Sequence, residues 1–249
     1  MQGGLTLSIT RNPDDVRAAQ RLRHDVFVRE MGAARVAPDG AEGDAFDPLC
    51  DHMVLRDAAH PDRGVIATSR LSHGVAYTAQ EFDLSRLLAR GSSVAEVGRT
   101  CIHPDYRGGM AGLMMFQGML DHLRASGVHY LVGTASFAGA DPARHMPALR
   151  SLRAEALAPA DIRPVARGPS AVPIDEEPAQ RRDMRSVPPL IKTYLRAGAW
   201  VGDGAWCDVV FNTVDVCILL DMARLRLPPV ARGRGRTIGT SDDGTADDA

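Results

Sequence analysis

Glu96-Val97-Gly98-Arg99-Thr100-Cys101-Ile102-His103-Pro104-Asp105-Tyr106-Arg107-Gly108-Gly109 carries a strand into a glycine turn that opens on a helix. Val94 to Ile102 reads as a strand, His103 to Gly109 as a sharp turn, and about Met110 to Ala125 as a long apolar helix stopped near Gly127. A buried-type strand follows from His129 to Thr134. Free backbone N–H groups and the positive dipole end at such a helix start bind phosphate groups. Gly108 and Gly109 let a ligand approach the backbone, and Arg107 supplies a cation. A Gly-Gly turn before a helix is also an ordinary cap, so the segment speaks first for the fold.

Upstream, Leu5 to Ile9 alternates apolar and polar residues as a strand does. Asn12-Pro13-Asp14-Asp15 opens a helix with Asn12 as N-cap, carrying Val16, Ala19, Leu22, Val26, Phe27 and Met31 and ending at Gly32. Residues 33–50 form a polar loop with Asp39, Glu42, Asp44 and Asp47. His52 to Leu55 and Gly64 to Leu71 read as an antiparallel pair, and Glu81 to Leu88 as a short helix. Downstream, a helix runs from Asp141-Pro142 through Leu157, another from Pro189 to Arg196, and a long strand from Val209 to Leu220. The pattern predicts a mixed α/β (α+β) fold, a twisted mixed sheet with helices on both faces, as a single domain over residues 1–230. Residues 158–187, rich in proline and arginine, read as an excursion or mobile flap, and 231–249 as a disordered tail.

The 249 residues carry 29 Lys+Arg against 31 Asp+Glu, a formal net charge of −2. That balance excludes a protein whose main task is coating nucleic acid, which needs a local excess of cations. Apolar residues make up 45 % and charged residues 24 %, as in soluble globular chains. No run approaches the roughly 18 apolar residues of a membrane-spanning helix. Met-Gln-Gly-Gly-Leu-Thr lacks the basic start and apolar stretch of a secretory signal. Cys50, Cys101, Cys207 and Cys217 do not read as a disulfide framework in a chain this long. A cytoplasmic protein is expected. Lys192 is the only lysine among the 29 basic residues, a bias that suits a GC-rich genome.

Arg107-Gly108-Gly109-Met110-Ala111-Gly112 resembles the acyl-CoA loop of the GNAT N-acyltransferase superfamily, with Met110 where that loop normally has glycine. Arg23-His24-Asp25-Val26-Phe27, Asp44-Ala45-Phe46-Asp47-Pro48-Leu49-Cys50-Asp51-His52 and Gln80-Glu81-Phe82-Asp83-Leu84 narrow the resemblance. So do Ala135-Ser136-Phe137, Asp141-Pro142 with His145, Pro188-Pro189-Leu190-Ile191-Lys192, Gly202-Asp203-Gly204 and Phe211-Asn212-Thr213-Val214-Asp215. Over roughly residues 5–220 the chain resembles the bacterial ornithine N-alpha-acyltransferases. The resemblance implies a GNAT-like fold and transfer of a 3-hydroxy fatty acyl group from acyl carrier protein to the alpha-amine of L-ornithine, forming lyso-ornithine lipid. The donor it implies is the carrier's 4′-phosphopantetheine thioester, with no bound cofactor and no metal. Met110 fits this donor, which lacks the pyrophosphate and adenosine that a full glycine loop wraps. A loop that tolerates Met110 and still takes coenzyme A is the alternative.

This chemistry makes demands on the site. An alpha-amine is mostly protonated at neutral pH, so a base must accept a proton before or during attack on the thioester. Glu96 is the candidate base, directly or through water, and its alternative reading is a structural partner of Arg99. Backbone N–H groups after Arg99 would hold the oxyanion. Glu96 and Arg99 face opposite sides of a regular strand, so both line one site only if the strand is bulged. Arg23, Asp44, Asp47, Arg70, Glu96 and Arg99 together also resemble the charged set of acyl-homoserine-lactone synthases. That likeness assigns Arg23, Asp44, Asp47 and Arg70 to the acceptor, with Asp44 and Asp47 either on its ammonium groups or clamping Arg23. Thr100, Cys101, Ile102, Arg107, Gly108, Gly109 and Gly112 fall to the phosphopantetheine and thioester. Ser136, His145 and Lys192 are further candidates, while Asp39 and Glu42 read as a solvated acidic loop. Cys101, activated by His103, is the rival nucleophile to direct amine attack, although strand cysteines are usually core.

Pro142 to Trp200 holds ten basic and six acidic residues, a formal charge of +4. That stretch is a docking face for an acidic carrier protein or for anionic headgroups. Tyr194, Trp200 and Trp206 beside arginines suit either a membrane interface or packing, so peripheral contact with the cytoplasmic membrane is also expected. Two rival functions stand beside the resemblance. One is an acyl-homoserine-lactone synthase using S-adenosylmethionine, against which the long stretch after residue 140 argues. The other is a non-catalytic protein that binds acyl chains or disturbs membranes.

Overall fold

The structure, a computed structural model, describes residues 4–34 and 39–226, together with the backbone of 239–240. The chain enters through β1 (Leu5–Thr10) and turns into α1 (Pro13–Arg23). The Asn12 side chain accepts from the amides of Asp14 (2.9 Å) and Asp15, and Pro13 starts the helix with its fixed φ. Past Arg23 the helix widens into a π-helical stretch, His24–Glu30, and stops at Gly32. The stop is the predicted one. The change of pitch was not foreseen, because apolar spacing alone does not register it.

β2 (Asp51–Asp57) and β3 (Val65–His73) form the expected antiparallel pair. β4 (Val94–Ile102), α2 (Met110–Ala125) and β5 (Tyr130–Ala138) make the strand–turn–helix–strand unit. α3 (Pro142–Ala156), capped by Asp141, and α4 (Pro189–Arg196) follow. Two strands, β6 (Ala205–Asp208) and β7 (Thr213–Asp221), replace the single strand expected over Val209–Leu220. The Asp208 carboxylate accepts from the amides of Val210 (2.8 Å) and Phe211 (2.9 Å), which turns the chain between them. The helix expected over Glu81–Leu88 is broken too. Phe82–Asp83 pairs as a strand with Val165–Ala166, between short helices at Thr78–Glu81 and Ser85–Leu88.

The main sheet runs Gly239–Thr240, β1, β2, β3, β4, β5, β7, β6, Ala171–Val172, with Trp200–Val201 added to β7. β4 and β5 are parallel while β1–β2–β3–β4 and β5–β7–β6 are antiparallel, so the sheet is mixed. α2, α3 and α4 cover one face, burying Leu120, Leu123, Leu149, Leu152 and Ile191 against Leu55, Leu131 and Leu220. α1 covers the other through Ala19 and Leu22, packed with Val54, Val65 and Cys101.

Parallel pairing of β4 with β5 ends at Glu96–Val132. Beyond it, Val97–Ile102 stays with β3 and Gly133–Ala138 stays with β7, so the sheet parts between them. Gly133 marks the fork: a Cβ there would lie 2.3 Å from the Val97 carbonyl oxygen.

Residues 158–187, read as an excursion or mobile flap, are packed, and Ala171–Val172 within them joins the main sheet. Ala158, Ile162 and Val187 are buried, both short strands are paired, and Arg150 holds Asp175 and Glu177 (2.8 Å). The expected disordered tail, 231–249, lies outside the described residues apart from the Gly239–Thr240 backbone. No helix of the described residues is long and apolar enough to cross a membrane.

Candidate active site

On the α1 face, β4 carries one residue more than β3. Thr68 faces Cys101 while Arg70 faces Gly98, and Arg99 takes a left-handed φ of 51° in the gap. This is the bulge that the three-residue spacing demands, and it brings Glu96 and Arg99 onto one segment, Ala76–Thr78.

Three guanidinium groups meet three carboxylates there. Arg23, fully buried at the end of α1, donates to Glu42 (2.7 Å) and to both oxygens of Asp47 (3.0 and 2.9 Å). Arg70 donates through Nη1 to Asp47 (2.8 Å) and to Asp44. Arg99 donates to Asp44 (2.9 Å), with Nε 3.4 Å from Glu42. Gln20 adds a bond to Asp47 (2.9 Å), and His52 Nε2 lies 3.0 Å from the Asp47 carbonyl oxygen. Burial works to raise the Asp47 carboxyl, but Arg23 and Arg70 outweigh it and hold it well below the usual carboxylate range. Asp44 is lowered against its burial by Arg70 and Arg99. Burial opposes the charge on Arg23 and Arg99, and Glu42 restores it in both.

Asp44 and Asp47 both clamp arginines here: Asp47 accepts from Arg23, Arg70, Gln20 and the Asp44 amide, and Asp44 from Arg70, Arg99 and the Phe46 amide. Glu42 is not solvated as its loop position suggested; it is 1 % exposed and belongs to the lattice. Asp39 remains outside, in an exposed pair with Arg17.

Glu96 Oε2 accepts from the amides of Ala76 (2.7 Å) and Tyr77 (3.1 Å), and Oε1 from the amide (2.8 Å) and hydroxyl (3.1 Å) of Thr78. A carboxylate offers about four lone-pair sites, and all are taken. In this geometry Glu96 anchors the Ala76–Thr78 segment, and among the described residues Arg99 is not one of its hydrogen-bond partners. The Arg99 guanidinium lies instead between the rings of Tyr77 (4.6 Å) and Phe211 (4.5 Å). Phe46, Arg70, Ala76, Tyr77, Glu96 and Gly98 line a small opening beside it.

At the start of α2, Gly108 takes φ 73° and the first turn has no side-chain cap. A Cβ on Gly112 would stand 3.4 Å from Ile102, so helix and strand are in contact. Arg107 is fixed by Glu30 (2.5 and 2.7 Å) and the Ile102 carbonyl (3.0 Å). Thr100 shares its hydroxyl with Ser69 (2.8 Å). Burial pushes the Cys101 thiol up to about 12, and His103 is engaged by Arg63 (3.4 Å) and the Asp105 amide (3.3 Å). A thiolate nucleophile is therefore unsupported.

Ser136 lies opposite Asp215 of β7, at the parted strands. His145 and Lys192 are not brought there. His145 sits 3.1 Å from the Gly139 carbonyl against Phe137, and Lys192 donates to the Arg185 carbonyl (3.0 Å) from α4 on the other face. The aromatic candidates for a membrane interface are packed: Tyr194 is buried, Arg224 stacks on Trp200 (4.0 Å), and Trp206 lies over Gly168. Sequence reasoning missed a second acidic group. Glu81, Asp208 and Asp215 are buried together, with one oxygen from each within 4.8 Å of the others. Asp215 was the readable sign, an acid inside the apolar run Val214–Leu220.

Residues 22–117 match the family described as Acetyltransferase (GNAT) domain. An L-ornithine N(alpha)-acyltransferase of Rhodobacter capsulatus is 40 % identical over 230 residues, covering 86 % of this chain and 89 % of the relative. One from Brucella abortus is 34 % identical over 90 % of this chain and 86 % of the relative. The fold resembles that of BjaI, a CoA-dependent acyl-homoserine lactone synthase, with a TM-score of 0.52 at 15 % identity over 88 % of this chain and 84 % of that one. Sequence likeness over nearly the whole length, on a fold whose sheet parts beside buried arginines, makes this chain a member of the L-ornithine N(alpha)-acyltransferase family and an N-acyltransferase.

Proposed function

We propose that the protein transfers a 3-hydroxy fatty acyl group from the 4′-phosphopantetheine thioester of acyl carrier protein to the alpha-amine of ornithine, forming lyso-ornithine lipid. The observation that carries this reading is the parting of β4 from β5 beside the arginine lattice. An extended thioester arm fits between Val97–Ile102 and Gly133–Ala138, with the amides of Thr100, Cys101 and Ile102 as candidate partners for the arm and oxyanion. The pantetheine phosphate suits Gly108, Gly109 and the uncapped first turn of α2, against which Gly112 lets Ile102 pack. The relatives' names support ornithine as acceptor.

The amine lone pair attacks the thioester carbon; the N–C bond forms, the C–S bond breaks, and the thiol leaves. One ammonium proton passes to water before attack, and a second N–H proton ends on the departing sulfur. Arg70 borders the opening and, among the described residues, makes its ion pairs through Nη1 alone, so it is suited to the acceptor carboxylate. Arg23, Asp44 and Asp47 stand behind it and fix its position. Arg99 and Glu96 hold the Tyr77 side of the opening. Exposed Arg144, Arg181 and Arg185 are suited to meeting an acidic carrier, and a lipid product favours peripheral membrane contact.

The test incubates purified protein with 3-hydroxyacyl carrier protein or 3-hydroxyacyl-CoA, each with ornithine, lysine, glycine or glutamine, and weighs the lipids by mass spectrometry. Lyso-ornithine lipid forms fastest from the carrier thioester and ornithine. No N-acylated amino acid from any pairing overturns the reading.

A further inference from the structure

We infer that the buried Glu81–Asp208–Asp215 triad is the pocket for a second, side-chain ammonium of the acceptor, the contact that selects a diamino acid; this rests on the acyl-transfer reading above. The three carboxylate oxygens lie within 4.8 Å of one another. An ammonium donating three hydrogen bonds of about 2.8 Å holds its acceptors about 4.6 Å apart, inside that limit.

An independent observation comes from what these groups lack. Among the described residues Glu81 Oε2 and Asp215 Oδ1 have no donor in hydrogen-bonding geometry, although both residues are only 4 % exposed; the hydroxyls of Tyr77, Ser136 and Thr213 stand near enough to stabilise the two carboxylates but do not neutralise them. Thr213 is two residues before Asp215 on β7, hence on the same face. Buried oxygens without donors are costly, and they suit a ligand that brings its own.

Among the described residues no cation forms an ion pair with the triad. Arg99 acts on Glu81 and Asp215 and favours their ionisation, yet it is bonded to Asp44 and enclosed by two rings. Burial and the crowding of like charges push Glu81 up to about 9 and Asp215, through burial, up to about 6. A bound ammonium would let these groups ionise.

Position joins the triad to the site. Asp215 is opposite Ser136 at the parted strands, Asp208 holds the amide of Phe211, and Glu81 lies beside the Tyr77 phenol. Tyr77 lines the opening that Arg70 borders. An amino acid with its carboxylate at Arg70 and its side-chain ammonium at the triad carries its alpha-amine between the two. Asp44 and Asp47 differ from the triad in that each is already ion-paired with two arginines.

Glu81→Gln and Asp215→Asn test the assignment with ornithine and with norvaline, which has the same carbon chain and no second amine. Acylation kinetics and calorimetric binding are both read. In the wild type ornithine is preferred by both readouts. In each variant kcat/KM for ornithine falls about 100-fold while norvaline is little changed, so the preference collapses. Equal losses for the two amino acids overturn the pocket. Absence of acylation in the wild type sinks the acyl-transfer reading instead, and calorimetry then still decides the pocket. Should the variants not fold, equal wild-type binding of ornithine and norvaline overturns it. Loss of ornithine binding with EDTA, restored by a divalent cation, would reassign the triad to a metal and also overturn the proposal.

Discussion

Replacing Asp47 with asparagine lowers the stability of the fold by about 3–5 kcal/mol, the cost of breaking a buried ion pair from one side. Both Asp47 oxygens accept from Arg23, and Arg70 and Gln20 share them. Asparagine keeps one acceptor and turns an N–H2 group on a guanidinium, leaving buried cations in excess. Equilibrium urea unfolding measures the loss, and a change below about 1 kcal/mol contradicts the lattice. The pH dependence has a definite sign. Asp47 and Asp44 have folded pKa values below the unfolded one, so their stabilisation is complete above about pH 4 and is lost as pH falls through the folded values. Asp47→Asn flattens that acid limb.

Glu96→Gln has the second large effect. Its amide nitrogen must face either the Ala76 and Tyr77 amides or the amide and hydroxyl of Thr78, donor against donor. Losing charge-assisted bonds at a buried anchor costs about 2–4 kcal/mol. The released segment carries Tyr77, so the Arg99 stack loosens and turnover falls about 100-fold. The pH–rate profile keeps its shape. Were Glu96 the base, the substitution would also remove the acidic limb of kcat/KM.

The parts of the fold legible in the sequence are those written locally. Val94–Ile102 and Met110–Ala125 have the predicted bounds, because apolar spacing and the Gly108-Gly109 turn specify them. The bulge at Arg99 follows from the demand that two charges three residues apart serve one site. The turn between β6 and β7 was hidden, since Val209-Val210-Phe211 is apolar and the Asp208 side chain makes the turn. Glu42 was misread for a related reason. Whether a charge is buried depends on partners far along the chain, here Arg23 and Arg99. Even the net charge of −2 says little about the site, where a neutral lattice adjoins an uncompensated acidic triad.

Acyl transfer is proposed to take place where β4 and β5 part, on the α1 face. A crystal structure with ornithine and a non-transferable amide analogue of 3-hydroxyacyl-phosphopantetheine checks this. The expected complex holds the arm between Val97–Ile102 and Gly133–Ala138, its carbonyl at the β4 amides, and the ornithine amine on the α1 face. An arm bound on the α2–α3 face, or outside the parted strands, overturns the proposal.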